Sequence, residues 1–211
     1  MDLAEQAVVV TGAGSGMGKA TAYRLARRNA LVAALDIAAK PVLALAQELG
    51  GLGIECDVGS ESSVRTAIQR VVAEFGPPRV LVNCAGIAAA QRISGRKGPH
   101  DLGLFEKVIR TNLVGTFNMM RLVAEEMKQL DPVGESGARG VMINTASVAA
   151  YEGQIGQAAY SASKGGVVAL TLPAARELAQ FGIRVVTVAP GLIGTPMLHA
   201  MPEEVQASLA S

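Results

Sequence analysis

Tyr160-Ser161-Ala162-Ser163-Lys164, with Ser147 thirteen positions before Tyr160, has the residue types for proton transfer. On a helix, a tyrosine and a lysine four residues apart lie on one face within reach of each other. A free tyrosine keeps its proton up to a pKa of about 10. A neighbouring ammonium favours the phenolate, and lowering that value to about 7 takes roughly 4 kcal/mol of differential stabilisation. Ser147 would donate a hydrogen bond to a substrate oxygen and hold it beside the phenol. Such a pair also arises by chance in many helices, so the chemistry needs a second signature.

That signature stands near the start of the chain. Ala7-Val8-Val9-Val10 reads as a buried parallel strand. Thr11-Gly12-Ala13-Gly14-Ser15-Gly16-Met17-Gly18 follows, then a helical pattern through Ala22, Leu25 and Ala26. Strand, glycine turn and helix in this order form a dinucleotide site: glycines admit the pyrophosphate, and the helix N-terminus offers it free N–H groups. A plain tight turn also uses glycine, but here the flanking elements are right on both sides. Leu31-Val32-Ala33-Ala34-Leu35 reads as the second strand and ends at Asp36, eighteen residues beyond Gly18. An acidic residue near this spacing accepts from the adenosine ribose hydroxyls and repels a 2′-phosphate. NAD rather than NADP is therefore the expected cofactor. Asp36 could also cap the turn before Pro41, which does not exclude the ribose role.

Strands and helices alternate through the rest of the chain, predicting an α/β fold with a Rossmann-type, doubly wound parallel sheet in one domain over 1–211. The pattern places a helix over 41–49, a strand over 53–56, an amphipathic helix with Val64, Ile68, Val71, Val72 and Phe75 on one face, and a strand over 80–82. A polar loop holds Arg92, Arg96, Lys97 and His100. One long helix is expected over 104–129, a surface loop over 131–137, a strand over 141–144, the Tyr160 helix to about 181, and a last strand over 185–188. Candidate functional groups fall at the C-terminal ends of strands, where such sheets bind ligands. The segment 165–172 is apolar almost all round, and Phe117, Met119, Met120, Leu122 and Val123 widen the apolar arc of the long helix. Surplus apolar surface on two neighbouring helices predicts at least a homodimer, with a homotetramer possible.

The chain has 211 residues, 50% of them hydrophobic, enough for one buried sheet. A net charge of +1, 3% aromatic residues and no tryptophan argue against a nucleic-acid surface. No apolar run suits a bilayer and the N-terminus lacks the pattern of a secretory signal, so no membrane association is expected. Cys56 and Cys84 fall near the ends of strands that are not neighbours in a sheet ordered 3-2-1-4-5-6, so reduced thiols in a cytoplasmic protein are expected. No metal is expected.

With these residues assembled, the chain resembles the short-chain dehydrogenases/reductases over essentially its whole length. The resemblance rests on 11–18, Asp57-Val58, Asn83-Cys84-Ala85-Gly86, Asn112, Ser147, Tyr160, Lys164 and Pro190-Gly191. Within that family, residues 144–154, 156–166 and 189–196, with the loop 96–100, resemble the type II 3-hydroxyacyl-CoA dehydrogenase subgroup, the 17β-hydroxysteroid dehydrogenase type 10-like proteins. The resemblance implies that Tyr160 is the base in alcohol oxidation, that Lys164 lowers its pKa and holds the nicotinamide ribose, that Ser147 orients the substrate oxygen, and that Asn112 supports a water relay. Gly12, Ser15, Gly16, Met17 and Gly18 would line the pyrophosphate turn. Asp57, Val58 and Cys84 would surround the adenine and its ribose, and Asn83, Ala85 and Gly86 would also bind the cofactor. Pro190, Gly191, Ile193 and Thr195 would flank the nicotinamide, and Gln157 would touch substrate.

The implied reaction interconverts 3-hydroxyacyl-CoA and 3-oxoacyl-CoA with NAD, an acyl-CoA being the substrate partner. A hydroxysteroid or other secondary alcohol is the alternative substrate. A 3-oxoacyl-carrier-protein reductase is disfavoured by Asp36, and a non-catalytic scaffold in an RNA-processing complex is disfavoured by the intact Ser147, Tyr160 and Lys164. The family pattern also implies a seventh strand and a C-terminal segment beyond Ser211, which this sequence does not contain.

Overall fold

Val8, Val9 and Val10 are fully buried, so the first strand is covered on both faces and needs helices on each side. The computed structural model describes residues 2–96 and 98–199 and supplies those helices in order. β1 (Ala7–Thr11), α1 (Gly16–Ala26), β2 (Leu31–Asp36), α2 (Ala39–Leu49), β3 (Leu52–Glu55), α3 (Glu61–Phe75) and β4 (Val80–Asn83) alternate strictly. A small antiparallel pair, β5 (Ser94–Gly95) and β6 (Gly98–Pro99), follows in the polar loop. Then come α4 (Leu102–Ile109), a π-helical turn (Arg110–Val114), α5 (Gly115–Met127), β7 (Gly140–Thr145), α6 (Ala158–Ala179), β8 (Ile183–Val188) and the short α7 (Pro196–His199).

The main sheet runs β3-β2-β1-β4-β7-β8, all parallel, in the expected single-domain, doubly wound arrangement. Side-chain alternation divides its core in two. Val8 and Val10 of β1 pack with Ala22, Val42 and Leu45 from α1 and α2. Val9 faces the other way, into a cluster with Val64, Val71, Met119, Val123 and Met142. Cys56 and Cys84 are both free thiols. No helix among the described residues is long and apolar enough to cross a membrane.

Two expectations need correction. The long helix runs unbroken but is not α-helical throughout: α4 and α5 are joined by the π turn, whose change of phase is hidden by the broad apolar arc of this segment. Buried Asn112 sits inside it, and the polar groups it must reach lie on either side of the helix. The surplus apolar surface is also narrower than expected. Met119, Met120 and Val123 face the sheet at 0%, 3% and 0% exposure, leaving Val114 and Phe117, with Leu172 on α6, facing out.

Candidate functional site

The glycine turn between β1 and α1 is built by close backbone approach. Gly12 has φ +64°, and a methyl group there would lie 2.7 Å from the Ala85 nitrogen. A methyl at Gly18 would overlap the Gly12 carbonyl, so the first turn of α1 packs on the strand end only as glycine. Gly16, at φ +51°, faces the Thr195 side chain. Ser15 is the exposed N-cap of α1 and its side chain makes no capping bond, so the first N–H groups of α1 have no side-chain cap. Met17 is partly buried beside them. An anionic diphosphate fits this cradle on size and on the helix dipole.

Asp36, at the end of β2, is fixed at the rim. One carboxylate oxygen accepts from Gly14 N at 2.9 Å and the other from Ala38 N at 2.9 Å. Asp36 thus caps the turn that follows β2 and ties it to the glycine turn. A carboxylate each of whose oxygens has a single N–H donor keeps lone pairs for hydroxyl groups. Thr11, at the end of β1, binds the neighbouring loop: its Oγ1 accepts from Cys84 N and Ala85 N, both at 3.1 Å. Asn83 is buried and donates to Asn144 Oδ1 at 2.9 Å, tying β4 to β7. Asp57 is exposed and accepts from Gly59 N at 2.8 Å, while Val58 is buried where a methyl at Gly115 would overlap it.

The proton-transfer residues converge from β7 and α6. Ser147 follows β7 and its Oγ accepts from Ala149 N at 3.2 Å. Tyr160 and Lys164 share a face of α6, with the ammonium 5.7 Å from the ring centre. Lys164 is 5% exposed and donates to the Thr145 carbonyl at 2.6 Å. Burial pushes its pKa down to about 8, opposed by charge interaction with Cys84. Burial also pushes the Tyr160 phenol above its ordinary value, and the hydrogen bond with Ser147 offsets only part of this. The expected lowering by Lys164 is thus not the dominant effect here, because the ammonium is directed to a carbonyl and the phenol is desolvated. Cys84 is pushed up by burial, which makes it a poor nucleophile.

Asn112 is fully buried in the π turn. Its Oδ1 accepts from Ile87 N at 2.8 Å, and its Nδ2 donates to Ile87 O and to Ser163 Oγ, both at 2.9 Å. The side chain is therefore committed to protein groups, as a buried amide inside a helix must be. Gly86 lies between Asn112 and Lys164: a methyl there would be 3.3 Å from Asn112 Oδ1 and 3.6 Å from Lys164 Nζ. After β8, Pro190 O accepts from Val148 N at 3.0 Å, joining the Gly191–Thr195 loop to the Ser147 turn. Ile193 is exposed, and its carbonyl accepts from Thr195 N at 2.7 Å. Gln157 Oε1 accepts from Gln154 N at 3.0 Å, which directs it along its own loop.

The structure brings all the other expected residues to one end of the sheet, the C-terminal end of its strands, and adds Thr11, Thr145 and Ser163. Thr145 acts through its carbonyl, which no side-chain motif can signal. Thr11 could have been found as the hydroxyl ending the first strand. A concavity of about 700 Å³ lies elsewhere, lined by Asp2, Gln6, Arg79 and Arg184. Its buried arginine, Arg79, is already bonded to Gln6 Oε1 and to the carbonyls of Arg139 and Asp131.

Comparison with known proteins agrees with this geometry. Residues 6–206 match the short chain dehydrogenase family. The chain is 53% identical over 207 residues to human 3-hydroxyacyl-CoA dehydrogenase type-2, covering 96% of this chain and 79% of that protein. It is 37% identical over 210 residues to human (3R)-3-hydroxyacyl-CoA dehydrogenase, covering 93% and 77%. The crystal structure of 3-hydroxyacyl-CoA dehydrogenase type-2 from Mycobacterium avium superposes with a TM-score of 0.88 at 43% identity, covering 95% of this chain and 80% of the other. On these matches the chain belongs to the short-chain dehydrogenase family and is an oxidoreductase.

Proposed function

We propose that this chain is one NAD-binding domain that interconverts 3-hydroxyacyl-CoA and 3-oxoacyl-CoA. The observation that carries the reading is the convergence of Ser147, Tyr160 and Lys164 beside a glycine turn rimmed by Asp36. NAD, when bound, supplies the hydride acceptor. Ser147 holds the alcohol oxygen, Tyr160 takes its proton, and Lys164 places positive charge next to the phenolate that receives it. In the reverse direction Tyr160 returns the proton to the ketone oxygen. Asn112 acts by holding the loop at Ile87.

The substrate class draws on the relatives, both named for 3-hydroxyacyl-CoA. It is supported by large apolar side chains on the loops around Ser147 and Tyr160: Ile93, Tyr151 and Ile155 are 74%, 69% and 81% exposed. These suit an acyl chain, as they would a steroid, the second reading. Arg92 and Arg96 are exposed on the adjacent hairpin loop, placed to meet CoA phosphates, while Lys97 lies outside the described residues. The loop is tied beside the site, since Gln91 N donates to Gly156 O at 2.9 Å. Two free thiols support a cytoplasmic location.

The test is turnover of 3-hydroxyacyl-CoAs, hydroxysteroids and carrier-protein thioesters with NAD and NADP. Acyl-CoA oxidation with NAD is expected to be fastest. Asp36→Ala with Ala38→Arg should move preference toward NADP by at least about tenfold, since repulsion is removed and a phosphate partner added. Wild-type protein that binds both cofactors equally would overturn the Asp36 assignment. Val114, Phe117 and Leu172 give two neighbouring helices an outward apolar face, on which we place a homodimer contact or one of the contacts of a homotetramer. Light scattering at micromolar concentration should read at least twice the chain mass, and a monomer would remove the contact.

A further inference from the structure

Ser163 is 0% exposed, although serine on a helix gains little from burial and must be hydrogen-bonded there. Its Oγ donates to the Tyr160 carbonyl at 2.7 Å and accepts from Asn112 Nδ2 at 2.9 Å. The second N–H of that amide goes to Ile87 O, and Asn112 Oδ1 takes the Ile87 N–H. The amide thus has its two donors and its acceptor all assigned, and only one orientation satisfies the set. We infer that Ser163 is a positioning residue for the reaction: through Asn112 it fixes the separation between the Tyr160–Lys164 turn of α6 and the Asn83–Ile87 loop.

The geometry explains why a single hydroxyl has this reach. Ile87 directly follows Gly86, which is packed between Asn112 Oδ1 and Lys164 Nζ. Tyr160, whose carbonyl Ser163 holds, carries the phenol. Movement of Asn112 therefore shifts the wall of the site against both ionisable groups at once. Displacements of the order of 1 Å at a reacting centre cost about a hundredfold in rate. Alanine at 163 leaves one Asn112 N–H buried without a partner, so the amide stays bonded to Ile87 but loses its tie to α6. A serine that merely filled space would, on replacement, change stability and leave the rate per folded molecule alone.

This inference rests on the proposed oxidoreductase chemistry, so the experiment reads both the rate and the clamp. Ser163→Ala is expected to lower kcat at least about tenfold, with KM for NAD within about twofold of wild type. In the same variant, hydrogen exchange of the Ile87 amide should quicken about tenfold, because its acceptor is no longer tied to α6. Ser163→Thr, which keeps the hydroxyl, should recover most of both effects. The rate loss in Ser163→Ala with Asn112→Ala should equal that of Asn112→Ala alone, as two residues acting in one chain require. If Ser163→Ala does not fold, Ser163→Cys keeps the volume with a weaker hydrogen bond and should show the same pattern. Rates are read on whichever secondary alcohol the wild type oxidises, so failure of the acyl-CoA reading leaves the test intact. Unchanged kcat per folded molecule, unchanged Ile87 exchange, or additive losses would each overturn the inference.

Discussion

Tyr160→Phe is expected to oxidise the alcohol at least about a hundredfold more slowly than wild type while binding NAD equally well. The ring and its packing persist in the variant; only the transferable proton is gone. The structure adds a pH signature. Burial holds the phenol above its ordinary value, so near neutral pH almost all of the protein carries the protonated form. Oxidation requires the deprotonated form, so the wild-type rate should climb with pH across the neutral range, and reduction should not. Phe at this position has nothing to titrate, and its residual rate should lose that slope. Retention of most activity by the variant would remove Tyr160 from the mechanism.

Lys164→Met should abolish most turnover yet make folding less dependent on alkaline pH. Lys164 is buried with its pKa pushed down to about 8, against an ordinary lysine value of about 10.4 in the unfolded chain. Between those values the unfolded chain binds more protons than the folded one, so stability rises with pH through this window. Below about pH 8 the full cost of a buried ammonium is present, of order 3 kcal/mol on that shift. Methionine removes it, but also removes the bond to the Thr145 carbonyl, worth about 1 kcal/mol. The stability difference, variant minus wild type, should therefore be largest in the variant's favour near pH 7 and shrink toward pH 10. Denaturant titrations at both pH values measure it. A difference that stays constant would mean that Lys164 is not held as a costly charge.

The order of the sheet, the glycine turn and the Ser147, Tyr160 and Lys164 set were legible because each depends on local pattern: apolar β-branched runs, glycines where backbone must approach backbone, and a four-residue helical spacing. Asp36 was legible for the same reason. The π turn was not, since a change of phase inside 104–129 is hidden where apolar residues spread over so wide an arc. For Tyr160, sequence shows a nearby lysine but neither the burial of the phenol nor the Thr145 carbonyl that takes the ammonium's hydrogen bond. Nor does sequence reveal that Met119, Met120 and Val123 turn inward, because burial by the sheet and burial by a partner demand the same residues. The bonds of Asn112 to Ile87 use backbone atoms, which every residue has and no pattern marks.

The π turn at Arg110–Val114 also sets the angular phase of everything after it. One residue of α-helix corresponds to about 100° of rotation. Without the extra residue, α5 would leave Asn112 rotated by about that angle, and Met119, Val123 and Met127 would swing off the sheet while Phe117 turned toward it. The wide turn works as a gear with one additional tooth: it lets one continuous helical rod serve the reacting groups with its first half and the hydrophobic core with its second. A one-residue change of length in this stretch would thus be read twice, as a misplaced amide at one end and a misaligned core at the other.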